Sequence, residues 1–153
     1  MRAVVYLALA AAIATGGAAA ADANFAAYRA HVNGICRSYT PTLKRLEADM
    51  TKARRAGDQQ RLASDFGAIL GMSLVQGVRI EKMPVPADGQ ARMSGTLRLL
   101  HKVDLQVRRT IATASSGDPN GFRTQLVTLA KVSAPMNHSF DAVGLQDCGS
   151  HQK

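Results

Sequence analysis

The chain has 153 residues, of which 46% are hydrophobic, and its 19 basic and 11 acidic side chains give a net charge of +8. This length is enough for one domain with a core. With no tryptophan and only 5% aromatic residues, that core is expected to be aliphatic. The charge favours anionic partners such as lipid head groups or cell-wall polymers, and it is equally an ordinary source of solubility. Nucleic-acid binding by base stacking is not expected, because aromatic residues do not alternate with the basic ones.

Residues 1–20 have the pattern of a Sec-type signal peptide. Arg2 supplies a positive start, an apolar stretch covers residues 4–14, and a run of small residues permits cleavage after Ala20. The alternative is an uncleaved membrane anchor, but a span needs about 20 strongly apolar residues and this segment is rich in alanine and glycine. We therefore expect a secreted or extracytoplasmic domain over residues 21–153, with a net charge of +7.

Four amphipathic segments follow one another through this domain, each with apolar residues at steps of three and four. The first ends at Gly57, the second at the prolines within residues 84–86, the third at Gly117 and the fourth at Gly144. Glycine and proline end helices, and an aspartate after each of the first two of these glycines can cap the next helix. Because short connections favour antiparallel neighbours, we predict an all-α, up-down-up-down four-helix bundle.

Two of the predicted helices contain an internal proline. Pro41 predicts either a kink or a restart as a separate helix, whereas Pro135 predicts a kink in the fourth helix. A first helix as long as its partners would begin near His31. Residues 22–30 would then project past the end of the bundle or bend over the loop at residues 84–86.

The chain has two cysteines, Cys36 and Cys148. An exported chain with exactly one such pair favours a disulfide, and the alternative is that Cys36 is a nucleophile. The bond would connect helix 1 to the C-terminal tail, provided that residues 145–148 fold back from the end of helix 4.

Several short motifs also support a family resemblance. They are Tyr28-x-x-x-Val32-Asn33-x-Ile35-Cys36-x-x-Tyr39, Gly57-Asp58, Met83-Pro84-x-Pro86, Gly117-Asp118 and Gly144-Leu145-x-Asp147-Cys148-Gly149. With them the chain resembles a family of small exported helical-bundle proteins with two cysteines, of the actinobacterial type. The resemblance spans most of residues 21–153. It implies a fold and a disulfide, and it brings no activity and no catalytic residue.

The strongest candidate for chemistry is a repeated pattern, His101-x-x-Asp104 and His138-x-x-Asp141. Residues three apart share a helix face, and helix-bundle metal sites use a carboxylate and a histidine at that spacing. The bundle-type di-iron set of four glutamates is absent, since the only glutamates are Glu47 and Glu81. Two surface ion pairs are therefore the favoured interpretation, and we predict no metal and no cofactor. No nucleophile elbow, zincin motif or phosphate loop is present.

Helix 2 carries a row of small residues, Ala63, Gly67 and Gly71, to which Gly77 adds a fourth. The favoured interpretation is tight packing against a neighbouring helix, at a propensity cost near 1 kcal/mol per glycine. The alternative is a lengthwise groove that admits a lipid tail or a partner helix.

Basic side chains concentrate at the end of the predicted bundle that holds both glycine–aspartate turns. Residues 48–67 and 108–127 together carry a net charge of +3. The cations that could dock on an anionic surface are Lys52, Arg54, Arg55, Arg61, Arg108, Arg109 and Arg123.

These observations give two hypotheses for function. The first is a non-enzymatic extracytoplasmic bundle that binds a protein partner or an anionic envelope surface. The second is a carrier of a small ligand or metal in the bundle interior, for which His101 and His138 are the residues to follow. An enzyme is the least favoured class, because no catalytic motif is present.

Overall fold

The computed structural model describes the backbone of residues 15–150 and the side chains of residues 24–150. Its helices, in chain order, are α1 (Thr15–Ala56), α2 (Gln59–Glu81), α3 (Gln90–Ser115) and α4 (Pro119–Ala142), with a short 3₁₀ turn at Ala87–Gly89 between α2 and α3. The described part contains no strand, and each helix packs against the next. This confirms the predicted all-α four-helix bundle.

The structure describes only part of the predicted export signal. Its apolar stretch, residues 4–14, lies outside the described residues. From Thr15 onward, no helix has a stretch that is both long and apolar enough to cross a membrane.

Both predicted glycine–aspartate turns are confirmed. Gly57 has a φ of 71°, a left-handed conformation that ends α1 at no steric cost, and the N–H of Asp58 donates to the carbonyl of Ala53 (2.9 Å). The carboxylate of Asp58 then accepts from the N–H of Arg61 (2.9 Å) and caps α2. The second turn repeats this arrangement, with Gly117 at a φ of 73° and an aspartate capping α4.

Helix α4 ends in a Schellman motif at Gly144, where the sequence predicts the end of the fourth helix. Gly144 has a φ of 82°, and its N–H donates to the carbonyl of Asp141 (3.0 Å). The next N–H, that of Leu145, donates to Phe140 (2.8 Å), and the Leu145 side chain is fully buried. The motif reverses the chain, so the tail turns back toward the core.

The predicted disulfide is present and ties this tail to α1. The Cα atoms of Cys36 and Cys148 are 5.2 Å apart, within the usual range for a disulfide, and both side chains are buried. Asn33 adds two polar ties, since its amide donates to the carbonyl of Gly144 (3.1 Å) and accepts from the N–H of Asp147 (3.2 Å). Residues 145–148 therefore fold back onto α1 as expected.

The expected start of α1 near His31 is wrong. The helix is already formed at Thr15, and Phe25 and Tyr28 are buried members of the core. The Phe25 ring packs against Gly89 in the 3₁₀ turn and lies 5.3 Å from the guanidinium of Arg92. Phe25 thus packs on the α2–α3 connection, at a position where matching the lengths of the helices predicts the end of the bundle.

Neither internal proline ends its helix. Pro41 lies within α1 and Pro135 within α4. Both are exposed, so the carbonyl that each proline leaves without a helical partner can be hydrated. Of the two alternatives at Pro41, the structure therefore excludes the restart as a separate helix.

The core has two parts, and α1 contributes buried side chains to only one of them. The tail-end core joins α1, α2, α3, α4 and the tail, and it includes Val32, Ile80, Met93, Phe140 and Leu145. The second cluster, built on Leu70, Val103 and Val107, joins α2, α3 and α4. Among the described residues no Cα atom of α1 lies within 8 Å of a Cα atom of α4. The α1–α2 and α3–α4 hairpins are thus joined through α2 and α3 and at the tail end, with space left between them elsewhere.

Candidate functional site

The space between the two hairpins forms two cavities. The first, here the turn-end cavity, has a volume of about 890 Å³ and is lined by side chains of all four helices around both glycine–aspartate turns. The second, here the side cleft, has a volume of about 370 Å³ and lies at mid-height between α1 and α4. Both volumes lie within the range of small-molecule sites in proteins.

Apolar side chains make up most of the turn-end cavity. The apolar residues that line it are Met50, Leu62, Ala63, Phe66, Leu70, Ile111, Phe122 and Leu126, with others at the turns. The rings of Phe66 on α2 and Phe122 on α4 meet edge to face, with centroids 5.9 Å apart. This ring pair connects the two hairpins at the cavity.

The small-residue row of α2 creates this cavity and does not serve close helix packing. Ala63 and Gly67 line it, and an added Cβ at Gly67 or Gly71 would meet no atom within 4 Å. The favoured interpretation of the row as a tight helix–helix contact is therefore wrong at both glycines. It holds only at Gly77, where an added Cβ would lie 2.5 Å from Oδ1 of Asp104.

Two charged residues of opposite sign line the turn-end cavity. The carboxylate of Asp118 caps α4, accepting from the N–H groups of Asn120 (3.1 Å) and Gly121 (2.9 Å). Arg54, on the last turn of α1, is exposed and makes no ion pair within 4.0 Å among the described residues. Arg54 is thus the lining residue that can pair with an anionic group, while the capping carboxylate of Asp118 keeps its negative charge.

The other cations predicted to form a docking surface divide into two groups. Lys52 pairs with Asp49 (3.6 Å), and Arg61 pairs with Asp49 (3.7 Å) and Asp65 (3.8 Å). The remaining four are exposed, and no ion pair within 4.0 Å is found for them in residues 24–150; they are Arg55, Arg108, Arg109 and Arg123. All seven lie on the helix segments that lead into or out of the two glycine–aspartate turns.

The side cleft has a different character. Apolar side chains such as Leu43, Ile69 and Met136 form much of its wall, and the remaining wall is polar. The neutral polar residues that line it are Ser73, Gln76, Ser133 and Asn137. Its charged lining residues are Glu47 and Asp104, both acidic, in a protein whose net charge is +8.

Asp104 is a buried carboxyl group, although the sequence pattern suggested a surface pair. It is only 6% exposed and lies against Gly77, which has no side chain to displace it. Burial raises the pKa of Asp104 from 3.8 to about 6, and the nearby Glu81 adds to the rise, while Arg108 and His101 oppose it. This carboxyl therefore titrates close to neutral pH, which an exposed aspartate does not do.

The two His-x-x-Asp patterns do not form a common site. The imidazole of His101 points outward, with 65% of its side chain exposed, and lies 3.5 Å from the carboxylate of Glu81. His138 is also exposed, and Asp141 accepts from the N–H of Ser150 (3.3 Å) and from its hydroxyl group. Asp141 thus holds the tail. Within residues 24–150 no three His, Cys, Asp or Glu side chains are placed to hold a metal ion.

A signal for the burial of Asp104 was present in the sequence. Asp104 stands four residues after Leu100 and three before Val107, so it belongs to the apolar stripe of α3. His101, one residue after Leu100, falls outside that stripe. Although the two residues are only three positions apart, the helical period therefore places Asp104 on the buried face of α3 and His101 outside it.

Comparison with known proteins adds no further assignment. No protein-family model matches the chain, and no curated protein or solved structure is significantly similar to it.

Proposed function

We propose that this is a non-enzymatic extracytoplasmic binding protein, and that its turn-end cavity takes the acyl chain of a fatty acid. The cavity carries the proposal, because it combines about 890 Å³ of mostly apolar space with Arg54 as a cation without an ion pair. Small-molecule sites commonly pair apolar walls with a few polar groups that fix orientation. A carboxylate head group would complement the guanidinium, and the chain would lie along the small residues of α2.

The energetics favour a chain of this kind. Each buried methylene contributes about 0.8 kcal/mol, so ten buried methylenes would contribute roughly 8 kcal/mol before the cost of immobilising the ligand. Gly67 leaves room for the chain, since no atom lies within 4 Å of the position of a Cβ there.

The location of the protein forms part of the proposal. A disulfide persists in an oxidising compartment, and the predicted export signal would deliver the chain to one. The exposed cations at the turn end supply a surface that can approach anionic lipids, from which a fatty acid would be acquired or to which it would be delivered. Binding to an envelope surface and carrying a ligand are then two steps of one activity.

Filling the cavity is expected to abolish ligand binding without loss of the fold. In Gly67→Leu the new side chain occupies the space of the acyl chain, and the affinity for a fluorescent long-chain fatty acid should fall at least tenfold. Replacing a helical glycine removes a propensity cost of about 1 kcal/mol, so the melting temperature should not fall. The measurements are a fluorescence titration and a thermal melt by circular dichroism.

The matched control lies one helical turn away. Gly71 has the same open surroundings as Gly67 but does not line the cavity, so Gly71→Leu should bind the fatty acid as the wild type does. Similarly, Arg54→Gln should weaken binding, and Arg55→Gln, at a neighbouring position outside the lining, should not. Equal binding by the two leucine variants would contradict the proposal.

Adsorption to vesicles should depend on lipid charge and on salt. We expect binding to anionic vesicles that weakens between 0.05 and 0.5 M NaCl, because exposed charges are screened over about 8 Å at physiological ionic strength. Neutralising Arg55, Arg109 and Arg123 together should reduce it strongly, at about 1 kcal/mol per basic residue near the surface. Co-sedimentation is the measurement, and equal binding to zwitterionic vesicles would exclude docking through charge.

A further inference from the structure

The side cleft contains a charged group that the proposed fatty-acid site does not use. We infer that this cleft is a second binding site, specific for a small organic ammonium ion, with the carboxylate of Asp104 as its counter-ion. The cleft shares Phe66 and Leu70 with the turn-end cavity, but its charged lining residues are both acidic, whereas the turn-end cavity has Arg54 beside Asp118.

The first support is the charge of the lining. Basic side chains outnumber acidic ones 19 to 11 in the whole chain, yet both charged residues of this cleft, Glu47 and Asp104, are acidic. A cleft that excludes the commoner charge presents a negative potential to an entering molecule. A cation is therefore the ligand that its electrostatics select.

The second support is the state of Asp104 itself. Asp104 is only 6% exposed, and among residues 24–150 no hydrogen bond or ion pair within 4.0 Å reaches its carboxylate, whose oxygens keep a small accessible surface at the cleft. A buried carboxylate without such a partner is costly, so carboxylates in this position usually have a paired group. An ammonium group in the cleft would supply that pair.

The third support is the set of neutral groups around the cleft. The hydroxyl of Ser73 donates to the carbonyl of Ile69 (3.0 Å), which leaves its oxygen as an acceptor. Gln76 and Asn137 add amide oxygens to the lining. The rings of Phe66 and Phe140 also line the cleft and can contact the apolar part of a ligand or the cation. With a volume of about 370 Å³, the cleft fits an organic ammonium ion of modest size.

The charged groups that act on Asp104 predict how binding depends on pH. Glu81 on α2 raises its pKa, whereas Arg108 and His101 on α3 lower it, and Glu47 of α1 lines the same cleft. Burial dominates these effects and places the pKa at about 6. The counter-ion is therefore mostly neutral at pH 5 and mostly ionised at pH 7.5.

Isothermal titration calorimetry with phenethylammonium chloride tests the site, and 2-phenylethanol is the uncharged comparison. At pH 7.5 the ammonium ion should bind at least tenfold more tightly than the alcohol, and its affinity should fall by about tenfold at pH 5. Asp104→Asn should abolish both the preference and the pH dependence. Asp65→Asn, which removes a carboxylate outside the cleft, should retain both.

Three results would overturn the inference. They are no binding of phenethylammonium at pH 7.5, equal affinity for the alcohol, and unchanged affinity in Asp104→Asn. Circular dichroism checks that the variant is folded. If it is not folded, the pH dependence of wild-type binding decides, and a flat profile between pH 5 and 7.5 would exclude Asp104 as the counter-ion. None of these outcomes tests the proposed fatty-acid site, which is tested separately by the fatty-acid titration of Gly67→Leu.

Discussion

Reduction of the Cys36–Cys148 disulfide is expected to lower the free energy of unfolding by about 4–5 kcal/mol. The bond joins residues 112 apart, and closing a loop of that length removes conformational entropy worth about this much from the unfolded chain. Few single changes to a small domain have effects of this size. The architecture should make the loss local as well as global, since the tail is the main direct link between α1 and the α3–α4 hairpin.

Urea denaturation with and without dithiothreitol measures this effect without any substitution. For m-values of about 1–3 kcal/mol/M, a loss of this size lowers the midpoint by roughly 1.3–5 M. Both cysteines are buried, so the bond should resist dithiothreitol in the folded protein and require partial denaturation for rapid reduction. Hydrogen exchange should then accelerate first in residues 143–150. An unchanged midpoint after complete reduction, verified by thiol titration, would contradict the expectation.

Replacing Asp104 with asparagine is expected to stabilise the protein by an amount that grows with pH. The pKa of Asp104 is raised from 3.8 to about 6 in the folded state, mainly by burial, so the folded protein binds this proton more tightly than the unfolded chain does. The protonated side chain therefore gives its full stability below pH 3.8, and that contribution is lost as the pH rises through 6. The difference in pKa corresponds to roughly 3 kcal/mol above pH 7.

The increase in the free energy of unfolding caused by Asp104→Asn should accordingly be small near pH 4, intermediate near pH 5 and largest at pH 8. Urea midpoints of the two proteins at these three pH values provide the measurement, and the difference between them cancels the titration of the other carboxylates. Glu47→Gln, which removes an exposed carboxylate from the same cleft, is the matched control. If the urea midpoints of wild type and Asp104→Asn differed by the same amount at pH 4 and pH 8, burial would not raise the pKa of this carboxyl group.

Features with a local cause could be predicted from the sequence. The turns at Gly57 and Gly117 and the reversal at Gly144 depend on residues within one helical turn of each glycine, and the structure has all three. The disulfide followed from the presence of exactly two cysteines. These features, together with the period of the apolar residues, define the bundle.

Features that depend on which helices come close could not be predicted in this way. The packing of α1 on the α2–α3 connection involves contact between Phe25 and Gly89, 64 positions apart, which no local pattern reveals. The small residues of α2 illustrate the same point, since Gly77 faces a carboxylate of α3 whereas Gly67 faces open space. Only the three-dimensional arrangement decides which glycine serves packing and which leaves a cavity. The burial of Asp104 differs from these features, because its position in the apolar stripe of α3 was enough to predict it.

The edge-to-face contact of Phe66 and Phe122 gives the bundle the mechanics of a lever. The hairpins are fastened beside Cys36, and the turn at Gly57 lies 21 residues further along α1, or about 31 Å at the helical rise of 1.5 Å per residue. Over that arm a tilt of only about 5° displaces the turn end by nearly 3 Å. At that end the two rings meet edge to face, with centroids 5.9 Å apart. We therefore expect a tilt of the hairpins to open the turn end more than the end tied by the disulfide, which would let one cavity admit ligands of different girth.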